Sequence, residues 1–204
     1  LSFTGGPVAG LALKRASGLV RCLMELGGND PLFVLPDADL EAAAATAVGH
    51  RYEIAGQSCA AVKKLYVHEA VQARFTEVLL AKVSALRHGD PADPQTQMGP
   101  VIDLAGAEMV CERIAASQAM GARLLAGGMR QGALVAPTVL DRMPLEAPLI
   151  ATETFGPVLA MRGFTDLDAA VDEVNASAYG LQAGIFTNDH AAIRRVGQRL
   201  QVGG

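Results

Sequence analysis

The sequence predicts an α/β fold, in which a mostly parallel open sheet carries helices on both faces. Short apolar runs alternate along the chain with longer segments whose apolar residues recur at helical spacing. Strands that alternate with helices usually pair in parallel, because each helix returns the chain across a face of the sheet. Half of the 204 residues are hydrophobic and only 4% are aromatic, so we expect a core of Ala, Val, Leu and Ile side chains.

The first part of the chain predicts a strand, a helix and a second strand. Residues 32–35 form an apolar run closed by a proline, which predicts a buried strand. Asp37 and Asp39 are candidate N-caps for an alanine-rich helix over about residues 40–53. The pattern of residues 64–68 predicts the second strand.

The middle of the chain predicts three further regular elements and one long loop. In order, these are an amphipathic helix over residues 71–86, a loop over 88–99, a helix over 104–120 and a strand over 123–126. Residues 133–143 are predicted to be extended, but Pro137 has no N–H to donate to a strand ladder. We therefore expect this segment to be an edge strand or an irregular one.

The last part of the chain continues the alternation of strands and helices. The predicted elements are a strand over residues 158–161, a helix from its N-cap Asp166 to about residue 176, a strand over 181–186, and a helix to about residue 200 that is capped by Asn188 or Asp189. With the elements before them, they complete the pattern of a sheet with helices on both faces.

Charge, hydropathy and cysteine content argue against several classes of function. The net charge of −4 and the pI of about 5.5 disfavour a nucleic-acid-binding surface, which needs clustered Lys and Arg side chains. No apolar run is long enough to cross a bilayer, so we expect no membrane partner. The three cysteines show no CxxC spacing, so neither a disulfide framework nor a metal site is expected. Free thiols suit a reducing compartment, which predicts a cytoplasmic protein.

The two ends of the sequence predict a piece of a longer protein. The chain starts at Leu1 without an initiator Met, inside a segment with the composition of a strand. It stops at Gly204, where an apolar stretch gives way to two glycines, which are typical of a turn. We expect neighbouring parts of the protein to be missing on both sides.

Two glycine-containing segments near the start carry candidate functional residues. Residues 3–10 read Phe-Thr-Gly-Gly-Pro-Val-Ala-Gly, and their glycines would let backbone amides approach a phosphate where a helix starts. An ordinary strand-to-helix turn fits this local pattern equally well. Residues 25–28 read Glu-Leu-Gly-Gly, and Glu25 stands between apolar residues. A carboxyl group in such surroundings suits a general base near pH 7, although a Glu on a solvent-facing strand edge fits as well.

A third segment carries a candidate nucleophile. Residues 56–59 read Gly-Gln-Ser-Cys, and the small residues around Cys59 would let a substrate carbonyl approach the thiol. A helix start or the nearby Lys63 would lower the pKa of this thiol. Cys22 and Cys111 stand in apolar surroundings that predict small core side chains, and the same inert role is open to Cys59.

The four segments in order resemble one known family. The fourth, residues 153–158, reads Glu-Thr-Phe-Gly-Pro-Val, and by itself it also fits an ordinary strand entry. Phe-Thr-Gly, Glu-Leu-Gly-Gly, Gly-Gln-Ser-Cys and this segment, in this order and spacing, resemble the aldehyde dehydrogenase superfamily over essentially all 204 residues. The resemblance implies the catalytic-domain fold of that family, truncated.

The resemblance implies a role for each residue that matches a family motif. Cys59 would be the nucleophile that forms a thiohemiacetal and then a thioester, and its amide would be one oxyanion donor. Glu25 would be the general base that activates water for hydrolysis of the thioester. The cofactor would be NAD or NADP, and the residues implied to bind it are Glu153 at the nicotinamide ribose, Phe155 beside the cofactor, Gly5 and Gly6 near the pyrophosphate, and Leu26.

The resemblance also implies a division of the chain into domains, a substrate and an oligomeric state. Residues 1–27 would be the C-terminal remnant of a dinucleotide-binding domain, and residues 28–204 a catalytic domain that is incomplete at its C-terminus. The substrate would be a small aldehyde, and the full-length protein would be a homo-oligomer. This chain alone would be inactive.

The substrate and the fate of the acyl group stay open at this point. Residues 26–31 and 130–134 are similar to the phosphonoacetaldehyde dehydrogenase branch, but Ser58 stands where that branch has an Arg, and Ile54 where an Asn is common. One alternative is a CoA-acylating member, although that subgroup commonly lacks the base that Glu25 provides. The other alternative is a non-catalytic interaction fragment that keeps the fold and loses cofactor binding.

Overall fold

The computed structural model describes residues 1–204 as strands and helices that alternate along the chain. The elements are β1 (Ser2–Thr4), α1 (Pro7–Ala16), β2 (Leu23–Glu25), β3 (Asp30–Val34), α2 (Leu40–Tyr52), β4 (Val62–His68), α3 (Glu69–Ser84), α4 (Leu104–Ala119), β5 (Arg123–Ala126), β6 (Arg130–Gln131), β7 (Leu134–Val135), β8 (Thr138–Asp141), α5 (Pro148–Ala151), β9 (Val158–Phe164), α6 (Leu167–Asn175), β10 (Gly184–Phe186) and α7 (His190–Arg199). A 3₁₀ turn, Glu53–Gly56, follows α2 directly.

A six-stranded sheet forms the centre of the structure. Its strand order is β10-β3-β4-β9-β8-β5, and every neighbouring pair is parallel except β5 with β8. The mostly parallel sheet predicted from the alternation of elements is therefore confirmed. Two smaller pairs lie outside this sheet: β1 with β2 in parallel, and β6 with β7 antiparallel.

Both faces of the six-stranded sheet are buried, as the alternation along β3 demonstrates. All five residues of β3 are buried. Leu32 and Val34 belong to the larger hydrophobic cluster, to which α2, α3 and α4 contribute. Phe33 belongs to the smaller cluster, to which α6 and α7 contribute. Because successive strand side chains point to opposite faces, this division confirms that helices cover both sides.

Aspartate side chains cap the N-termini of four of the helices. Asp39, Asp103, Asp166 and Asp189 each accept a hydrogen bond from a backbone amide in the first turn of α2, α4, α6 and α7. The prediction that Asp37 also caps α2 is wrong. Its carboxylate accepts hydrogen bonds from Thr187 Oγ1 and Asn188 N at 2.7 Å each, which joins the loops after β3 and β10. These hydrogen bonds lower the pKa of Asp37.

Pro137 interrupts the chain where an edge or irregular strand was predicted. The irregularity is confirmed, because β7 ends before Pro137 and β8 begins after it. The edge position is wrong, because β8 pairs with both β9 and β5, and β5 is the edge strand. Pro137 precedes the first residue of β8, so the ladder of that internal strand loses no donor.

The strand near the chain end is shorter than predicted, and the strand before it is longer. Only Gly184–Phe186 pair with β3, because Ala183 N donates to Gly204 O and the terminal glycines bond to Leu181. The strand β9 extends to Phe164. No helix combines the length and the apolar composition that crossing a bilayer requires.

Candidate active site

A cavity of about 570 Å³ brings the four sequence segments together, although as many as 150 positions separate them in the chain. Its walls include all seven residues singled out from the sequence: Gly5, Gly6, Glu25, Leu26, Cys59, Glu153 and Phe155. Thr4, Gly27, Ile54, Gln57 and Ser58 complete its lining. A cleft of this size with two carboxylates, a thiol and a ring is the best candidate for an active site in this chain.

Strand pairing places the first two segments side by side. Thr4 at the end of β1 is in register with Glu25 at the end of β2. The next residue, Gly5, donates its amide to Glu25 O at 3.1 Å. Because the carboxyl ends of parallel strands meet at one edge, Glu25 and the glycines before α1 face the same cavity.

The loop that carries Cys59 follows a turn with left-handed backbone. Ile54, Ala55 and Gly56 have φ angles of 51°, 54° and 72°. Gly56 is required there, since a Cβ would lie 2.4 Å from Gly156 O. Ile54 is β-branched, so its left-handed conformation is strained, and the Asn commonly found at this position tolerates that conformation better.

A second glycine fits closely against the Cys59 loop. A Cβ at Gly28 would lie 2.4 Å from the backbone carbonyl oxygen of Cys59. We expect Gly28→Ala to lower the free energy of unfolding by about 1–3 kcal/mol, because the loop must shift to make room. Gly49→Ala in α2, where nothing lies within 4 Å of the new Cβ, is the matched control and should be neutral or stabilising. Equal urea midpoints for wild type and Gly28→Ala would contradict this packing.

The electrostatic surroundings of Cys59 differ from the sequence-based expectation. Burial, followed by the charge and hydrogen bond of the neighbouring Glu25 carboxylate, raises the pKa of the Cys59 thiol. The amides of Cys59 and Ala60 act in the opposite direction but do not reverse the shift. The expected lowering is therefore wrong, because Cys59 lies in a loop rather than at a helix start and faces a carboxylate.

Lys63 lies beneath the loop instead of beside the thiol. Its Nζ donates to the carbonyl oxygens of Ser58, Cys59 and Ala61 at 3.0, 2.7 and 3.2 Å. The same atom lies 3.8 Å from Glu153 Oε1. Lys63 is only 2% exposed, and burial lowers its pKa to about 8.

The Glu153 side chain faces the cavity from a loop that two arginines hold. Glu153 Oε1 accepts the amide of Gly28 at 2.9 Å, and Oε2 packs against Gly27, where a Cβ would lie 2.0 Å from it. Arg51, fully buried in α2, donates to the carbonyl oxygens of Thr154 and Gly156. Arg113 in α4 donates to Glu153 O and Thr154 Oγ1. Burial lowers the pKa of Arg51 to about 10.

Sequence reasoning missed these two arginines as supports of the site. A basic residue near the end of a helix usually faces solvent, and nothing in the local pattern around Arg51 indicates burial. Arg113 likewise sits in a helix with ordinary amphipathic spacing. Only the contact between α2, α4 and the loop after α5 reveals their role.

Cys22 and Cys111 were predicted to be small core side chains, and this prediction is wrong. Cys22 is only partly buried; its Sγ lies 3.2 Å from Ser17 Oγ and donates to Val20 O, and the neighbouring Leu23 is 63% exposed. Cys111 is partly buried on α4, and burial raises the pKa of its thiol. Neither residue belongs to a hydrophobic cluster or lines the cavity.

Comparison with known proteins identifies the family to which the chain belongs. The family model described as "Aldehyde dehydrogenase family" matches residues 1–204. The chain belongs to the aldehyde dehydrogenase family. The truncated α/β catalytic-domain fold expected from the resemblance agrees with solved aldehyde dehydrogenases, of which this chain covers less than half.

Three relatives show which aldehyde dehydrogenases the chain is similar to in sequence or structure. It is 39% identical to the sulfoacetaldehyde dehydrogenase of Neptuniibacter caesariensis, over all of this chain and 44% of that protein. It is also 39% identical to the NAD(P)+ succinate semialdehyde dehydrogenase of Escherichia coli K12, over all of this chain and 45% of that protein. The NADP-dependent glyceraldehyde-3-phosphate dehydrogenase from Bacillus halodurans, complexed with NADP, superposes on all of this chain with a TM-score of 0.96 and 35% identity, over 42% of its own length. The chain thus spans less than half the length of the relatives it matches.

Proposed function

We propose that a protein carrying this chain oxidises an aldehyde to a carboxylic acid with NAD or NADP. The observation that carries the proposal is that Cys59 and Glu25 line one cavity, with the Glu25 carboxylate close enough to raise the pKa of the thiol. Family membership adds that this pair lies on motifs typical of aldehyde dehydrogenases. The reaction needs a nucleophile and a base in one cavity, and both are available here.

The chemistry proceeds through two steps that use different side chains. The thiolate of Cys59, its proton released to solvent, attacks the aldehyde carbon, and the carbonyl oxygen becomes an oxyanion to which the Cys59 amide donates. A nicotinamide cofactor held by Glu153, Phe155 and the glycines before α1 would supply the hydride acceptor, and loss of the hydride would leave the acyl group on Cys59 as a thioester. Glu25 then takes a proton from the water that attacks the thioester, which releases the acid and restores the thiol.

The walls of the cavity fit a nicotinamide dinucleotide. Glu153 lines the cavity, and its carboxylate, which accepts the Gly28 amide at Oε1, would accept a ribose hydroxyl at Oε2. Phe155 is 40% exposed, so its ring is available beside a flat heterocycle. Gly5 and Gly6 lie just before α1, where backbone amides favour a phosphate, and Leu26 lines the same cavity.

We propose that the chain contains parts of two domains and that the whole protein is a homo-oligomer. Residues 1–27 would belong to the cofactor domain, because β1 and β2 form a pair of their own outside the six-stranded sheet. Residues 28–204 would belong to the catalytic domain, since they build that sheet and both hydrophobic clusters.

We further propose a short aldehyde with an anionic group as the substrate, a phosphonate among the candidates. The names of all three relatives refer to aldehydes with such a group, namely a sulfonate, a carboxylate or a phosphate. Ser58, directly before the nucleophile, lines the cavity with a hydroxyl that has no partner in the protein. No Lys or Arg side chain lines the cavity, so side-chain donors to an anion must be uncharged, and among them Ser58 stands next to the nucleophile.

The substrate proposal predicts a preference that steady-state kinetics can measure. In a full-length enzyme that carries this segment, kcat/KM should be at least about tenfold higher for sulfoacetaldehyde, phosphonoacetaldehyde or succinate semialdehyde than for propanal or butanal, because a hydrogen bond to a charged group is worth about 1.5–3 kcal/mol. Ser58→Ala should reduce this ratio and leave the neutral aldehydes unaffected. Equal or higher kcat/KM for the neutral aldehydes would contradict the proposal. Acyl-CoA as the product, rather than free acid, would favour the CoA-acylating alternative.

A further inference from the structure

The ammonium group of Lys63 is enclosed by backbone carbonyls of the nucleophile loop. Each of its three N–H bonds has an acceptor, on Ser58, Cys59 and Ala61. Lys63 is almost completely buried, so water does not compete for these contacts. A buried charge is retained only when it is compensated, and here three carbonyl dipoles and the nearby Glu153 carboxylate compensate it.

Two of these carbonyls belong to the peptide units that face the thiol. The Ser58 carbonyl shares its peptide unit with the Cys59 amide, and the Cys59 carbonyl shares its unit with the Ala60 amide. In a trans peptide the C=O and N–H bonds point in opposite directions, so carbonyls turned toward Lys63 direct both amides away from it. Neither amide donates to a backbone carbonyl, and both lie close enough to the Cys59 thiol to act against the rise of its pKa.

We propose that Lys63 is the positioning residue of the oxyanion hole, holding the amides of Cys59 and Ala60 directed at the reacting carbonyl oxygen. This inference rests on the proposed dehydrogenase function and adds Ala60 as a second backbone donor. The charged donor polarises both peptide units, which strengthens their N–H groups as donors. Because Lys63 holds them before substrate arrives, no reorganisation is needed when negative charge develops on the oxygen.

Lys64 provides a matched control on the same strand. It is also 2% exposed, and burial lowers its pKa to about 8, as for Lys63. Lys64 pairs in register with Pro31 of β3, whereas the pairing skips Lys63, and Lys64 makes no hydrogen bond to the nucleophile loop. Lys64→Met therefore removes an equally buried charge without releasing the loop.

The test compares Lys63→Met with Lys64→Met in a full-length enzyme that carries this segment. The first readout is the pH dependence of Cys59 alkylation by iodoacetamide without cofactor, followed by peptide mass spectrometry. In Lys63→Met the midpoint should rise by about one pH unit relative to Lys64→Met, because the thiolate loses the two amides that Lys63 holds in place. The second readout is the burst of reduced cofactor, whose rate should fall by about ten- to a hundredfold with KM for the aldehyde little changed.

Each outcome decides for or against the role of Lys63. Lys63→Gln, which keeps donors but no charge, should give smaller changes in the same direction, and it decides the question if Lys63→Met does not fold. An alkylation midpoint and a burst rate equal to those of Lys64→Met would overturn the proposal. If the parent enzyme forms no reduced cofactor with any aldehyde, the proposed function fails, and the alkylation profile alone still decides whether Lys63 directs the amides at Cys59.

Discussion

Replacing Cys59 by alanine should abolish aldehyde-dependent formation of NADH or NADPH in a full-length enzyme that carries this segment. The thiohemiacetal and the thioester both need Sγ, and no other thiol lines the cavity. We expect a loss of about four orders of magnitude or more in kcat, as is typical when a covalent nucleophile is removed. Cofactor absorbance under saturating aldehyde measures it.

The other two cysteines supply matched controls for this variant. Cys22→Ala and Cys111→Ala remove thiols that lie outside the cavity, so both should keep activity within about twofold, as surface and partly buried substitutions usually do. A folded Cys59→Ala enzyme with the turnover of these controls would exclude covalent catalysis at Cys59.

Replacing Glu25 by glutamine should separate the two chemical steps. Thioester formation depends on Cys59, whereas its hydrolysis needs a base that takes a proton from water. A positioned base contributes about two to four orders of magnitude, so steady-state turnover should fall by that factor. Rapid mixing should reveal a burst of reduced cofactor near one equivalent per site, followed by a slow phase. Glu53→Gln, the same substitution at an exposed position outside the cavity, should leave both phases unchanged.

The same Glu25→Gln variant should change thiol reactivity in the opposite direction. The Glu25 carboxylate raises the pKa of Cys59, so its removal enlarges the thiolate fraction at a given pH. Alkylation of Cys59 without cofactor should therefore reach its half-maximal rate at a lower pH than in wild type. Slower alkylation together with unchanged turnover would remove Glu25 from the site and reopen the CoA-acylating alternative.

Local chemistry explains why much of the fold is predictable from the sequence. The apolar run around Phe33, closed by a proline, is typical of a buried strand, and Asp39 and Asp166 stand one residue before helical periodicity begins. The pairing partner of a strand, in contrast, depends on distant segments. Pro137 therefore predicted an edge or an irregular strand; the segment is irregular, but the order of the sheet places β8 inside it.

The candidate site is predictable as a set of residues but not as an electrostatic arrangement. The motifs around Glu25 and Cys59 indicated the cavity residues, because their residue types and order are specific to one family. Proximity in sequence suggested that Lys63 approaches the thiol, yet its side chain leaves the strand toward the backbone of the loop. The direction of a side chain follows from tertiary packing, and local patterns do not contain it.

The nucleophile and the base are tested most directly by the covalent intermediate itself. Glu25→Gln enzyme mixed with aldehyde and oxidised cofactor, quenched in acid within the burst and digested, should yield the peptide that contains Cys59 with the added mass of the acyl group. Hydroxylamine should remove that mass, as expected for a thioester, and Cys59→Ala should not acquire it. An unmodified Cys59 peptide after a full burst, or an acyl group on any other residue, would contradict the assignment of Cys59 as the nucleophile.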